Sequence, residues 1–416
     1  MNSEGVAIVG SSVAGVRTAR ALRSEGYDGR IVLLGRENHV PYDKPPLSKQ
    51  FLTGAFDEAR ITLLTTAEAA ESDIDLRLGV AAVGVDTYSR AVHLADGSSL
   101  SYTKLVIATG ADARPAPWAA QSGVHVVRTL DDGLRLRAAL QIPGRVVVIG
   151  GGFIGAEVAS TAMTAGHEVT VVDPSSAPMT RAMGPELGAL LTAIHGRHGV
   201  ASRFGCGVEA VSGEAGALQV TLSDGDVLAA DTVVVGIGAI PNDQWLMNSS
   251  LTIDNGVVCD EFCRAVGDGD VFAVGDVARW QHTGHQESVR VEHWTNAADQ
   301  AMCVAHNIVH PDDLMAYRPT EYVWSDQYGW KIQIAGRPGR GALHQLIGDP
   351  DTDSPQAAAL YVDDRDLLCG IVTVNWPRAA MVCRQLITAG APVAEAVATV
   401  ALLPRSTATA AVAART

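Results

Sequence analysis

The sequence predicts an α/β fold in which two doubly wound parallel-sheet units of the same design are followed by a smaller α+β domain. Three observations predict it. Two glycine-rich turns, in VAIVGSSVAGVRTARALR and RVVVIGGGFIGAEVASTAM, each join a β-branched strand to a helix. The same order of elements (glycine turn with strand–helix–strand, hairpin, closing strand) occurs twice along the chain. Toward the C-terminal end the pattern changes to consecutive strands, YVWSDQY, KIQIAG, AAALYVD and LLCGIVTVN, before a closing helix.

The first unit opens with the strand VAIVG, a helix over Val13–Ser24 and the strand RIVLLG. HVPYDKPPLSKQFL is proline-rich and interrupts regular structure. Strands follow around Leu76–Leu78 and Val80–Val85, then a hairpin turning at Asp96-Gly97 and the closing strand KLVIATGA. Pro115 and Pro117 mark the crossing into the second unit. That unit repeats the pattern: RVVVIGGG, a helix, HEVTVVD, a helix near Pro185–Gly199, the hairpin QVTLSDGDVLAA and the strand DTVVVGIGA. After Pro241 come the strand DVFAVGDVARW and a helix over Thr295–Val309. The expected domains are 1–112 with 242–322, 113–241, and 323–416; the Ala/Thr-rich end beyond Pro404 is expected to fray.

Composition narrows the function classes. Hydrophobic residues make up 47% and charged residues 19% of 416, which is globular. The formal net charge of −15 argues against a nucleic-acid partner, which demands a basic footprint. No apolar run reaches the length of a membrane span, and MNSEGVAIVG enters a strand without a leader pattern, so no membrane association is expected. The six cysteines form no C-x-x-C pair, which fits structural thiols in a reducing cytoplasm, and no residue is assigned as a metal ligand. The only lysines are Lys44, Lys49, Lys104 and Lys331, and two of these four lie within the stretch Lys44-Pro-Pro-Leu-Ser-Lys49. Clustering of a rare residue marks that loop for function.

The glycine turns carry the first chemistry. Gly10, Ser12 and Gly15 occupy the G-x-G-x-x-G places of the first turn, and Gly150, Gly152 and Gly155 those of the second. Such a turn lets the backbone approach a pyrophosphate, which then rests on unpaired N–H groups at the helix N-terminus. Two copies point to two dinucleotides, and hence to Rossmann-like dinucleotide-binding units. Ser12 departs from the pattern by adding a Cβ and a donor at the position nearest the phosphate. An acid at the end of the second strand takes the ribose hydroxyls; in the second unit it is Asp173, which also reads as a capping aspartate before Pro174. A carboxylate facing a 2′-phosphate at ~4 Å and an effective dielectric of ~20 is repelled by roughly 4 kcal/mol. A third of that gives about tenfold preference for NADH over NADPH. Glu37, beside Arg36, is the corresponding choice in the first unit.

The set GSSVAG, PYDKPPLSK, ATGA, GGGFIGAE, VGIGAIPN, DVFAVGDVA, VEHWTNA and WSDQYGWKIQ resembles the FAD-dependent, NADH-using ferredoxin reductases that serve Rieske-type oxygenases and cytochromes P450. Rubredoxin reductases and apoptosis-inducing factor are relatives of that family. The resemblance runs from about Val6 to Asn375, with the motifs in the family's order. It implies a glutathione-reductase-like fold: an FAD domain interrupted by an NAD domain, then a C-terminal interface domain. It also implies roles. Lys44 and Lys49 match positions contacting FAD, with Lys49 near the flavin and paired with Glu157. Asp276 matches the acid that accepts hydrogen bonds from the ribityl chain, and Thr109 and Gly110 a cofactor-adjacent turn. Glu292, His293, Trp294 and Trp324 match residues around the isoalloxazine, Trp324 being an aromatic step toward the partner. Ala14, Val83, Phe153, Ile154 and Gly238 complete the expected cofactor-binding set, and Lys49, Glu157 and Trp324 are the residues expected to serve catalysis.

One absence sets the direction of the electrons. Disulfide reductases of this fold carry a C-x4-C pair near the place occupied here by Lys44–Lys49, whereas the first cysteine of this chain is Cys206. Without a thiol relay beside the flavin, the resemblance implies hydride transfer from NADH to FAD and single electrons to a soluble, acidic iron–sulfur ferredoxin. Arg290, Arg318, Arg337 and Arg340 are the expected basic rim for that partner. The alternatives are a rubredoxin reductase, an NADH oxidase and a redox-sensing flavoprotein that binds a partner.

Overall fold

The computed structural model describes residues 5–350, 352 and 355–404, and the Ala/Thr-rich end lies outside them. The chain divides into two compact units. One comprises the chain up to Pro46, Phe56–Asp112 and Ala239–Pro319; the other comprises Leu47–Ala55, Ala113–Gly238 and the chain from Thr320. The proline-rich lysine loop is thus shared between them, with Lys44 in the first unit and Lys49 in the second.

The first unit is built on a parallel sheet in the order Val271–Ala273, Lys104–Ile107, Val6–Val9, Ile31–Leu34, Ile74–Arg77. The strands Val6–Val9 and Ile31–Leu34 are buried at every position, as strands covered on both faces must be. The helices Val13–Ser24 and Trp294–Val309 pack on each other in this unit and contribute Ala14, Val16, Ala19, Ala297, Ala301, Val304 and Ile308 to its core. A three-stranded antiparallel sheet, Ala82–Asp86 with Ala91–Leu94 and Ser99–Ser101, is attached.

The second unit repeats the plan with the parallel order Ala201–Phe204, Glu168–Asp173, Arg145–Ile149, Thr232–Val235, Val124–His125, and with an antiparallel sheet of Val208–Glu214, Ala217–Leu222 and Val227–Ala230. The segment Thr180–Arg197 is two helical pieces that meet at a kink at Gly184 (φ +83, ψ 167), and the expected helix near Pro185 is the second of them. The unit also contains a five-stranded antiparallel sheet in the order Tyr322–Gln327, Trp330–Gly336, Leu368–Val374, Gln356–Val362, Ala342–Asp349. Met183, Leu187, Leu191 and Ile194 pack against one set of its side chains (Trp330, Ile332, Ile334, Tyr361), and the helices Pro377–Ala389 and Val393–Leu402 pack against another. The strand Ala342–Asp349 escapes the sequence pattern because it is an edge strand whose side chains are mostly exposed or half-buried, so alternation is weak. Among the described residues no helix is long and apolar enough to cross a membrane.

Candidate active site

In the first unit the glycine turn links Val6–Val9 to the helix Val13–Ser24, with Ser12 as its N-cap. Gly10 adopts φ +117, and a Cβ there would sit 2.1 Å from the carbonyl oxygen of Ala108; a Cβ on Gly15 would sit 1.8 Å from that of Gly10. These two glycines are demanded by the protein's own backbone. The Ser12 side chain does not cap the helix, and no acid occupies the first helical turn. The turn's N–H groups therefore remain available to an anion.

The other residues expected of this unit fall into small groups. Glu37 accepts from the Tyr42 hydroxyl at 2.6 Å and lies 3.4 Å from Lys44 Nζ, while Arg36 turns away to a bidentate pair with Asp112. Arg36 thus does not crowd Glu37. Thr109 Oγ1 donates to the carbonyl of Asn242, and Asn242 returns bonds from its Nδ2 to the Thr109 carbonyl and from its backbone N–H to that of Gly110. Gly110 takes φ +66 in this clasp. Asp276 lies in the short turn Gly275–Val277, and Gly275 packs so closely that an added Cβ would be 3.2 Å from that of Ala14. Arg290 Nη1 joins the Asp276 carbonyl at 3.0 Å to the Glu292 carboxylate at 2.7 Å. Trp294 donates from Nε1 to Asp43 at 2.7 Å and has Arg17 over its ring; His293 is the N-cap of its helix. Val83 stands apart as the extra residue of a bulge between Ala82 and Gly84, 54% exposed, with no contact joining it to the others.

In the second unit the same turn has Gly150 at φ +107, where a Cβ would lie 2.3 Å from the Gly236 carbonyl oxygen, and Gly155, where it would lie 1.9 Å from that of Gly150. At Gly152 a Cβ would meet nothing within 4 Å. The first and third glycines are demanded by the fold, and the second faces open space. Phe153 and Ile154 open the helix Phe153–Thr164, again without a capping side chain or an acid in its first turn. Asp173 accepts from the N–H of Gly151 and of Ser175, both at 2.7 Å, which fixes its carboxylate beside the turn. Gly238 takes φ +100, and its carbonyl accepts from the Arg114 N–H.

One turn further into that helix lies a buried charged cluster. Glu157 is 3% exposed, and its Oε1 lies 3.0 Å from Lys49 Nζ. Ser48 Oγ donates to its Oε2 at 2.6 Å and Ser325 Oγ to its Oε1 at 2.8 Å. Burial pushes the Glu157 carboxyl above its ordinary value, and Lys49, Ser48 and Ser325 pull against it. Thr161, one turn on, donates to the Ser48 carbonyl at 2.9 Å, so a single helix face holds the lysine loop at two points. Ser325 and Trp324 are adjacent on one strand and so face opposite sides: Ser325 is buried at Glu157, while Trp324 lies near Tyr322 and under Lys331. Ser48, Ser325, Asn242 and Asp43 carry no role in the sequence reading, although three of them sit inside the marked motifs PYDKPPLSK and WSDQYG and Asn242 closes the motif VGIGAIPN.

The expected basic rim is reduced by the structure. Arg290 is committed to Asp276 and Glu292, and Arg337 to Glu321 at 2.7 Å, because each guanidinium has an acid within its own unit. Arg318 and Arg340 are exposed.

Two bare glycine turns feeding two uncapped helix ends are what a pair of dinucleotides requires, and the class this defines is that of flavin- and nicotinamide-using oxidoreductases. A family model described as pyridine nucleotide-disulphide oxidoreductase matches residues 4–301, and one described as reductase C-terminal matches 322–401. Rhodocoxin reductase of Rhodococcus erythropolis is 36% identical over 390 residues, covering 93% of this chain and 90% of that protein. The ferredoxin–NAD(+) reductase component of the anthranilate 1,2-dioxygenase system of Burkholderia cepacia is 37% identical over 393 residues, covering 94% and 96%. The structure of a covalent putidaredoxin reductase–putidaredoxin complex superposes with a TM-score of 0.88 at 31% identity, covering 97% of this chain and 100% of that one. The chain belongs to the pyridine nucleotide-disulphide oxidoreductases, in the group that carries the reductase C-terminal domain.

Proposed function

We propose that the protein is an FAD-dependent NADH:ferredoxin reductase supplying an iron–sulfur ferredoxin that serves a cytochrome P450 or Rieske-type oxygenase. The observation that carries this is the Lys49–Glu157 pair, held by Ser48 and Ser325 at the place where a thiol relay would otherwise stand. All six cysteines are unpaired thiols, and none belongs to this cluster.

The chain's own residues divide the work. Gly10, Ser12, Ala14 and Gly15 cradle the FAD pyrophosphate, Glu37 takes its ribose, and Thr109, Gly110 and Asp276 hold the ribityl side. Glu292, His293 and Trp294 border the ring system. Residues 113–241 form the NADH domain, with Gly150, Gly152 and Gly155 at the pyrophosphate and Asp173 at the ribose hydroxyls. FAD, when bound, accepts two electrons from NADH and releases them singly. Lys49 would supply a positive charge to the flavin that these residues hold, and Glu157 fixes the ammonium in position. Free thiols throughout favour the cytoplasm as the compartment.

Steady-state NADH oxidation by the purified holoprotein tests this with ferredoxin, with rubredoxin and with oxygen alone. Turnover that depends on ferredoxin is expected. Equal turnover with oxygen alone would make the protein an oxidase.

A further inference from the structure

We propose that Glu25, His306 and His310 form a binding site for a first-row divalent transition metal, Zn²⁺ being the natural occupant. Their ligand atoms all lie within 4.8 Å of one another, all on the first unit. Glu25 Oε2 is 3.1 Å from His310 Nε2 and 3.7 Å from His306 Nδ1. A tetrahedral ion with bonds of ~2.0–2.1 Å separates its ligand atoms by about 3.3 Å, so both separations from Glu25 already stand close to the edges of such a site.

The secondary structure explains the convergence. His306 lies in the last turn of the helix Trp294–Val309, and His310 is its C-cap, four residues on and therefore on the same face. Glu25 is the C-cap of the helix Val13–Ser24, which packs against it. Two helix C-termini, each bearing partial negative charge, meet a carboxylate there, and a cation is the complement of that field.

Tautomer chemistry sharpens the assignment. His306 Nε2 lies 2.9 Å from the carbonyl oxygen of Asp313, which can only accept. Nε2 therefore carries the proton of the neutral ring, and the Nδ1 lone pair is directed at Glu25. A backbone carbonyl holding the remote N–H is the usual outer partner of a metal-bound histidine. His310 is exposed, so its other ring nitrogen can hold a proton in water while Nε2 ligates, and solvent completes the coordination. Two imidazoles and one carboxylate favour Zn²⁺, Ni²⁺ or Cu²⁺ over Mg²⁺ or Ca²⁺. The residues are 281 and 285 positions apart from Glu25 in sequence, which is why no spacing motif announces the site.

The test is metal titration of the FAD-loaded full chain, with Co²⁺ as a spectroscopic probe and Zn²⁺ in competition with a chromogenic chelator. Expected are ligand-field bands in the visible that saturate at one Co²⁺ per chain and are displaced by Zn²⁺. Each of His306→Ala, His310→Ala and Glu25→Gln should weaken binding about tenfold or more, the loss that removal of even an outer partner produces. Flavin absorbance reports that each variant is folded. Absence of such bands in the unaltered protein, or equal Zn²⁺ affinity in the His306→Ala/His310→Ala double variant, would overturn the proposal.

Discussion

Replacing Lys49 by Met strips the buried Glu157 carboxylate of its counter-charge while keeping the volume of the side chain nearly constant. The ammonium and the carboxylate are 3.0 Å apart, with side chains only 10% and 3% exposed. At an effective dielectric of ~20 their attraction is about 5 kcal/mol, and removal of one partner from a buried pair costs about 3–5 kcal/mol. Ser48 and Ser325 still donate to the carboxylate in the variant, which places the expected loss near the lower end. The loss carries a pH signature. Burial already raises the Glu157 carboxyl, and without Lys49 it rises further. As pH climbs past the ordinary carboxyl value, the unfolded chain releases this proton while the folded variant retains it. Stability then falls with rising pH, by up to roughly 1.4 kcal/mol per unit, until the folded carboxyl ionises. Urea unfolding of the holoprotein at about pH 5.5 and about pH 8 reads this directly. The Lys49→Met deficit should be larger at the higher pH, and the Lys49→Met/Glu157→Gln double variant should be more stable than the single one there and nearly flat. A deficit below about 1 kcal/mol, unchanged with pH, would refute the electrostatic account of the cluster.

Other consequences concern the turns and the hydroxyl donors. Asp173→Asn should reduce the preference for NADH over NADPH about tenfold, measured as the ratio of kcat/KM values, because the charge facing a 2′-phosphate is gone. Gly152→Ala should leave the melting temperature nearly unchanged, since nothing lies within 4 Å of the new Cβ, yet raise the KM for NADH. Gly155→Ala should lower the melting temperature itself, because its Cβ would lie 1.9 Å from a carbonyl oxygen; the reverse ranking would contradict the division of labour within the turn. Ser325→Ala removes one of two hydroxyl donors from the Glu157 carboxylate and should cost about 1.5–3 kcal/mol in unfolding, with Ser325→Thr recovering part of it.

Much of the architecture was legible because local pattern and tertiary role coincide. The strands Val6–Val9 and Arg145–Ile149 are rich in β-branched residues, and Gly10, Gly15, Gly150 and Gly155 in the turns after them are required by backbone approaches that no side chain permits. The first helix begins and ends at the residues its pattern indicates, Val13 and Ser24. What stayed hidden is long-range. Ser48 and Ser325 reach Glu157 across 109 and 168 residues, and a serine in a loop or strand carries no sign of such a partner. The motif WSDQYG looked functional as a block, but its parts differ. Tyr328 and Gly329, at φ +55 and +76, form the two-residue turn between paired Gln327 and Trp330, while Ser325 meets the charged cluster. The sequence places Arg290 and Arg337 in an expected basic rim because it does not show the acids paired with them.

Anaerobic single-turnover mixing bears most directly on the central claim, that electrons enter from NADH as a pair and leave singly to an iron–sulfur carrier. Flavin absorbance should bleach rapidly when the FAD-loaded protein meets one equivalent of NADH, and should return when ferredoxin is added in a second mix, with two ferredoxins reduced per NADH consumed. Rapid bleaching by NADH followed by no electron transfer to ferredoxin, with recovery only on admission of oxygen, would contradict it.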